Sequence, residues 1–143
     1  MGARKHNTAE LRKEANKQLY FAKLNNCPSS PRKMRLVAEL VRGKNVELAL
    51  HILQHSPNHA AEKLYKVLKS AIANWQQKNE GVRIEDSNLI VSEVQVDGGR
   101  ILKRVQPAPQ GRAHRIRKRS NHVTVFVASR NAKVETETEV VTK

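Results

Sequence analysis

The spacing of hydrophobic residues changes from a helical to a strand-like period part-way along the chain. Between Pro31 and Lys78, apolar residues recur every three or four positions, as on amphipathic helices. Residues Leu89–Val96 and His122–Val127 are rich in β-branched residues that alternate with polar ones, and Leu19–Leu24 is a shorter run of the same kind; such runs are typical of strands. The pattern therefore predicts an α+β fold, with three helices packed on a small antiparallel sheet.

Each predicted helix follows a Ser or Asn that can cap it and ends near a helix-breaking residue. The helices run from Pro31 to Arg42 (cap Ser30, Gly43 beyond the end), from Val46 to about Gln54 (cap Asn45, then Ser56-Pro57) and from His59 to Lys78 (cap Asn58). The positions expected to face the core are Met34, Leu36, Val37, Ala38, Leu40 and Val41, then Val46, Ala49, Leu50 and Leu53, then Ala61, Leu64, Leu68, Ala71, Ile72 and Trp75.

One domain with two polar ends is expected. Residues 1–18 form a basic N-terminal extension, in which Asn7 and Glu10 have the spacing of a capping box ahead of a short helix. Residues 19–129 form the domain, with a loop predicted at 25–29. Residues 130–143 are low in complexity and are predicted to be a disordered tail.

The stretch from Asp97 to Ser120, which we call the arm, has no acidic residue after Asp97. Its basic residues are Arg100, Lys103, Arg104, Arg112, Arg115, Arg117, Lys118 and Arg119. A block of one charge is usually disordered, but this one lies between two predicted strands and contains a turn-forming centre, Pro107–Gly111. We predict a two-stranded ribbon that reaches on the order of 35 Å and is ordered by a polyanionic partner.

A second interpretation of the arm places a tight hairpin turn at Asp97-Gly98-Gly99, since Asp-Gly and Gly-Gly favour such turns. In the long ribbon the same glycines would form a bulge. The spacing of residues alone does not decide between the two.

Charge points to a phosphate-rich partner. The 143 residues carry a formal charge of +14, and 38% are hydrophobic. A membrane surface is the weaker alternative, because no apolar run approaches the ~20 residues of a membrane span. Aromatic residues make up only 3% of the chain, so the sequence favours phosphate contacts and shape recognition over base stacking.

A second basic cluster flanks the first predicted helix. Arg32, Lys33 and Arg35 lie at or near its N-terminal end, where positive charge opposes the helix dipole, and Arg42 and Lys44 follow at its other end. An external anion explains this placement; a solvated helix face is the alternative.

The sequence gives little sign of catalysis, a metal or a cofactor. His51, His55 and His59 are spaced by four, but Pro57 interrupts their helical face and no further ligand completes a site. The single cysteine, Cys27, is expected to be a small, partly buried residue and fits a reducing cytoplasm. Glu85 and Asp86 are interpreted as loop carboxylates.

Three segments together resemble one known family, bacterial large-subunit ribosomal protein twenty-two. They are SPRKMRLVAELVRGKNVELALHIL (30–53), LKSAIANW (68–75) and LKRVQPAPQGRAHRIRKRSNHVTVFV (102–127). The resemblance covers roughly residues 19–129. Ala108 and Gln110 stand where Arg or Lys is common in that family.

The resemblance implies an rRNA-binding body on the large subunit, near the exit of the nascent polypeptide. It implies the long form of the arm, running along the exit tunnel. Gly111, Arg112 and Ala113 would form the tunnel-lining tip, opposed by Leu102, Lys103 and Arg104, where changes in the family affect macrolide sensitivity. Neighbouring ribosomal proteins and the nascent polypeptide would be partners, with one copy per ribosome and no homo-oligomer.

Two other functions remain as alternatives from the residues. An architectural DNA-binding protein can grip the minor groove with a β-arm and a proline wedge, as Pro107 and Pro109 would allow. An RNA-processing enzyme would need an acid, base or metal set that the sequence does not show.

Overall fold

The structure is a computed structural model that describes residues 3–17, 19–79, 82 and 87–129. Four helices and three strands lie within these residues. In chain order they are α1 (Ala3–Lys17), β1 (Tyr20–Cys27), α2 (Pro31–Val41), α3 (Val46–His55), α4 (His59–Lys78), β2 (Leu89–Pro107) and β3 (Ala113–Ser129). The α+β prediction is confirmed.

The three strands form one antiparallel sheet in the order β1-β3-β2. β3 is central: Val127 pairs with Tyr20 of β1 and with Val91 of β2. Because side chains alternate across a strand, Val123, Val125 and Val127 all face the helices, and each is at most 2% exposed.

Helices α2, α3 and α4 cover this face of the sheet and close a single core. Their buried residues include most of the predicted positions, and Trp75 is 4% exposed against the partly buried Tyr20 ring. Two predictions were wrong: Leu36 and Leu40 are 64% and 47% exposed. At 3.6 residues per turn, Leu36 lies about 200° around the helix from Met34, which places it away from the sheet.

The N-terminal extension forms α1, which has no buried residue. The predicted capping box was wrong, since α1 begins at Ala3 and Asn7 lies inside it. The good helix formers Arg4 and Lys5 allow the helix to start earlier. The C-terminal end of α1 is held by Lys78 of α4, which donates 3.1 Å hydrogen bonds to the carbonyl oxygens of Lys17 and Leu19.

Local boundaries also differ from the prediction in β1, which continues through Asn25 and Asn26 to Cys27 instead of becoming a loop at Asn25. The extra residues are accommodated by an irregularity between Leu24 and Cys27, where the register with β3 shifts. Asn26 adopts a positive φ of 53° there, a conformation that Asn tolerates better than most residues.

Candidate nucleic-acid interface

The arm is a continuous two-stranded ribbon. Beyond its root, β2 and β3 stay paired from Ile101↔Arg119 to Pro107↔Ala113. The turn is a short 3₁₀ segment, Pro109–Gly111, closed by a 2.9 Å hydrogen bond from the Ala108 amide to the Arg112 carbonyl. The tight hairpin at Asp97-Gly98-Gly99 is therefore excluded, and the turn lies in the predicted Pro107–Gly111 segment.

The turn needs two residues in the left-handed region. Gly111 has φ of 70°, as its lack of a side chain allows. Gln110 has φ of 62°, which the sequence did not signal. Gly111, Arg112 and Ala113 meet at this end of the arm. Residues 102–104 do not: Arg104 pairs with Ile116, three residues from the last pair, so this predicted part of the tip lies about 10 Å down the ribbon.

Pairing sorts the arm's side chains onto two faces, because directly paired residues of an antiparallel ladder share a face. We call the first of these the arginine face. It carries the apolar Ile101 and Val105 and four cations, which are Lys103, Arg115, Arg117 and Arg119. The second, the mixed face, carries Leu102, Arg104, Gln106, His114, Ile116 and Lys118. The cations are thus concentrated on one side.

None of the arm's cations forms an ion pair with a described residue. The salt bridges within the described parts of the chain all lie in α1 and α4. All the arm's basic residues are exposed, and Arg104 bonds only to the neighbouring Lys103 carbonyl, at 2.9 Å. A surface of unneutralised cations is suited to bind phosphates.

A bulge forms the root of the arm. Gly99 and Arg100 together oppose the single residue Ser120, since the register shifts between Gly98↔Asn121 and Ile101↔Arg119. A Cβ at Gly99 would lie 2.7 Å from Ser120 Oγ and 3.1 Å from its carbonyl carbon. The hydroxyl of Ser120 donates to the carbonyl of Arg100. The predicted glycine bulge is confirmed, and Gly99 is the position in it where a side chain would be crowded.

Asn121 ties this root to the body, and sequence reasoning did not find it. Its side chain is fully buried, and Nδ2 donates a 2.8 Å hydrogen bond to the carbonyl of Ser29, just before α2. Next to it, His122 Nδ1 accepts a 3.1 Å hydrogen bond from the Asn26 amide. The arm therefore extends from a point where β3 is hydrogen-bonded both to β1 and to the loop before α2.

The basic residues around α2 divide into two groups. Arg32 and Lys33 are exposed and make no hydrogen bond or ion pair with a described residue. Arg35 Nη2 and Nε donate to the Val96 carbonyl at 3.0 and 3.3 Å, and Arg42 Nη2 donates to the Val94 carbonyl at 2.9 Å.

Arg35 and Arg42 thus cover the outer edge of β2, together with the loop after α2. The Gly43 amide donates to the Val91 carbonyl at 2.8 Å, and the Val91 amide donates to the Lys44 carbonyl at 2.9 Å. These contacts occupy backbone groups that an edge strand would otherwise leave unpaired. The sequence showed the positive charges but not which strand edge the helix would approach.

The remaining candidate residues are dispersed. Cys27 is 2% exposed in the core. His55 Nδ1 lies 2.9 Å from the His51 carbonyl oxygen, and no three His, Cys, Asp or Glu side chains of the described residues are grouped so that they could hold a metal ion. Glu85, Asp86 and the predicted tail at 130–143 lie outside the described residues.

Length and apolar character of the helices bear on the membrane alternative. Among the residues that the structure describes, no helix has both properties to the degree that a membrane span requires.

Comparison with known proteins gives one consistent result. Residues 22–128 match the family described as "Ribosomal protein L22p/L17e". Proteins named "Large ribosomal subunit protein uL22" from Christiangramia forsetii and Flavobacterium johnsoniae are each 63% identical over 131 residues, which is 92% of this chain and 97% and 96% of theirs. The protein of the same name from Bacteroides fragilis is 60% identical over 92% of this chain and 96% of its own. The chain therefore belongs to the ribosomal protein L22p/L17e family.

Proposed function

We propose that this chain is a structural component of the large ribosomal subunit that binds rRNA, chiefly through its arm. The observation that carries the proposal is the arginine face, on which Lys103, Arg115, Arg117 and Arg119 are aligned, exposed and unpaired by described acidic groups. On one strand, alternate residues are about 6.7 Å apart, so three arginines of β3 form a row of cations along the ribbon. Membership in a family of ribosomal proteins supports rRNA as the partner of this surface.

The contacts are of the positioning kind. Arginine can bridge two phosphates with its planar guanidinium, and phosphate contacts fix orientation on folded RNA without reading sequence. The other basic residues proposed to contact rRNA are Arg32, Lys33, Arg35, Arg42, Lys44, Arg100, Arg104, Arg112 and Lys118. For Arg35 and Arg42, the guanidinium nitrogens that do not bond to β2 remain available for this role.

The end of the arm is proposed to line the tunnel through which the nascent polypeptide leaves the ribosome. Gly111, Arg112 and Ala113 form its terminal surface, with residues 102–104 further along the same ribbon. This role rests on the family resemblance of residues 102–127, and the length of the ribbon supports it. One copy acts per ribosome, in the cytoplasm, beside neighbouring ribosomal proteins.

Residues 1–18 and 130–143 are proposed as extensions of the rRNA-binding domain at 19–129. The N-terminal one contributes a helix with an exposed basic surface that includes Arg4, Lys5 and Arg12.

The test is sedimentation of a cell lysate through sucrose gradients at moderate salt, with this chain quantified in each fraction. Cosedimentation with large subunits at about one copy each is the expected result. Recovery with the nucleoid, or as a free dimer, would contradict the proposal and favour the DNA-binding alternative. The family match does not support that alternative, and it agrees with the prediction that the chain is not an enzyme.

A further inference from the structure

The face of the sheet opposite the helices carries both phenylalanines of the chain. Phe21 of β1 and Phe126 of β3 are directly paired, and their ring centroids are 5.6 Å apart with an interplanar angle of 41°. Their neighbours Ala22, Val125 and Val127 face the core, so alternation places both rings on the open side.

This pair is not part of the core. Phe21 is 45% exposed, and Phe126 is partly exposed beside it. Packing in the core therefore does not account for aromatic side chains at these two positions. Trp75 of α4 is different, because it is 4% exposed and belongs to the core. The scarcity of aromatics in the sequence argued against stacking, but the structure brings two of the few together on one surface.

The surroundings of the pair favour an anionic ligand on the β1 side. Lys23 is the next residue of β1 on the open face, about 6.7 Å along the strand from Phe21, and it is exposed. Thr124, which pairs with Lys23 on this face, is 7% exposed. On the β2 side, the Glu93 carboxylate accepts a 2.9 Å hydrogen bond from the side-chain Nε2 of Gln95. The face is therefore positive on its β1 side, at Lys23, and negative on its β2 side, at Glu93.

We infer that Phe21, packed beside Phe126 on the same face, is a stacking site for one unpaired nucleobase of rRNA, and that Lys23 neutralises a phosphate next to that base. Exposed aromatic residues on an open sheet face can stack on any of the four bases, because each base has a π face. A basic residue one row away adds the electrostatic attraction that the backbone of the same nucleotide requires. The inference rests on the proposed rRNA binding and adds a base contact to an interface otherwise built on phosphates.

The test uses the full chain and protein-free large-subunit rRNA, with affinity measured over a series of salt concentrations. Phe21→Leu keeps an apolar side chain on the strand but removes the ring. We expect it to weaken binding about tenfold with an unchanged salt dependence. Phe21→Tyr keeps the ring and is expected to bind like the parent chain. Lys23→Gln should lower the slope of log affinity against log salt by about 0.7, the value for one contact to single-stranded RNA.

The outcomes separate this inference from the proposed function. If the parent chain itself does not bind the rRNA, the proposed function fails. If the parent chain binds and Phe21→Leu binds equally well, the stacking site is refuted. Loss of that variant from assembled subunits, despite its unchanged affinity for rRNA, would refute it too and would indicate that the pair contacts a protein. Equal weakening by Leu and Tyr would also refute it. Circular dichroism of each variant checks that the sheet is intact.

Discussion

The guanidinium of Arg35 is bonded to the backbone carbonyl of Val96, with Nη2 at 3.0 Å and Nε at 3.3 Å. Val96 is the last residue of β2 before the arm begins at Asp97. A residue predicted to bind RNA therefore also fixes the strand from which the arm extends. Arg35 links α2 to the root of the arm.

We expect Arg35→Lys to destabilise the domain by about 1 kcal/mol, because a lysine cannot present two N–H groups to one carbonyl in the same plane. The charge is unchanged, so a loss of stability reports the lost geometry. The measurement is the free energy of unfolding from denaturant titration. Lys33→Arg, an exchange at an exposed position two residues away, is the matched control and should stay within about 0.5 kcal/mol of the parent. Equal stability of Arg35→Lys and the parent would show that the two-donor geometry of the guanidinium adds nothing to stability.

The two glycines at the root of the arm should respond differently to substitution. Gly99→Ala would place a Cβ 2.7 Å from Ser120 Oγ and 3.2 Å from the Asn121 amide nitrogen, whereas a Cβ at Gly98 meets nothing within 4 Å. We expect Gly99→Ala to cost about 1–3 kcal/mol of unfolding free energy, as overpacking does, and Gly98→Ala to change it by less than about 0.5 kcal/mol. Thermal unfolding of the two variants side by side makes the comparison. Equal effects would mean that the bulge relaxes without cost.

Sequence patterns predicted the elements whose conformation or burial depends on residue types close together in the sequence. The stripe ending at Trp75 predicted α4 with both ends correct, because a helix face buried along its whole length must be apolar at every contact. The turn at Pro107–Gly111 was predictable for a similar reason, since Pro and Gly restrict or free the backbone locally.

Features that depend on a distant partner were not predictable. Arg35 and Arg42 have the same side chain as Arg32, and only the position of β2 makes them edge-covering residues. Asn121 is a polar residue that is nevertheless buried, and its side chain bonds to the backbone of Ser29, 92 residues away in the sequence. The pairing of Phe21 with Phe126 likewise depends on the register of β1 against β3, which no local pattern specifies.

Deletion of residues 100–119 should leave a folded body. The core cluster contains no residue between Asp97 and Ser120, so the arm contributes nothing to the buried apolar surface that stabilises the domain. We expect the deletion variant to keep its helical circular dichroism and a cooperative unfolding transition, and to enter large subunits weakly. A variant that is unfolded in isolation would contradict the separation of arm and body.

Neutralising the two faces of the arm should affect RNA binding unequally. Four cations, Lys103, Arg115, Arg117 and Arg119, share the arginine face, while Arg104 and Lys118 share the mixed face. If each cation meets one phosphate, glutamine at all four positions should lower the slope of log affinity against log salt by about 3, and glutamine at the other two by about 1.5. Because the arm is exposed and lies outside the core, neither set should change the unfolding transition of the body. A larger loss of slope from the two-residue set would mean that the mixed face, and not the arginine face, makes most of the phosphate contacts.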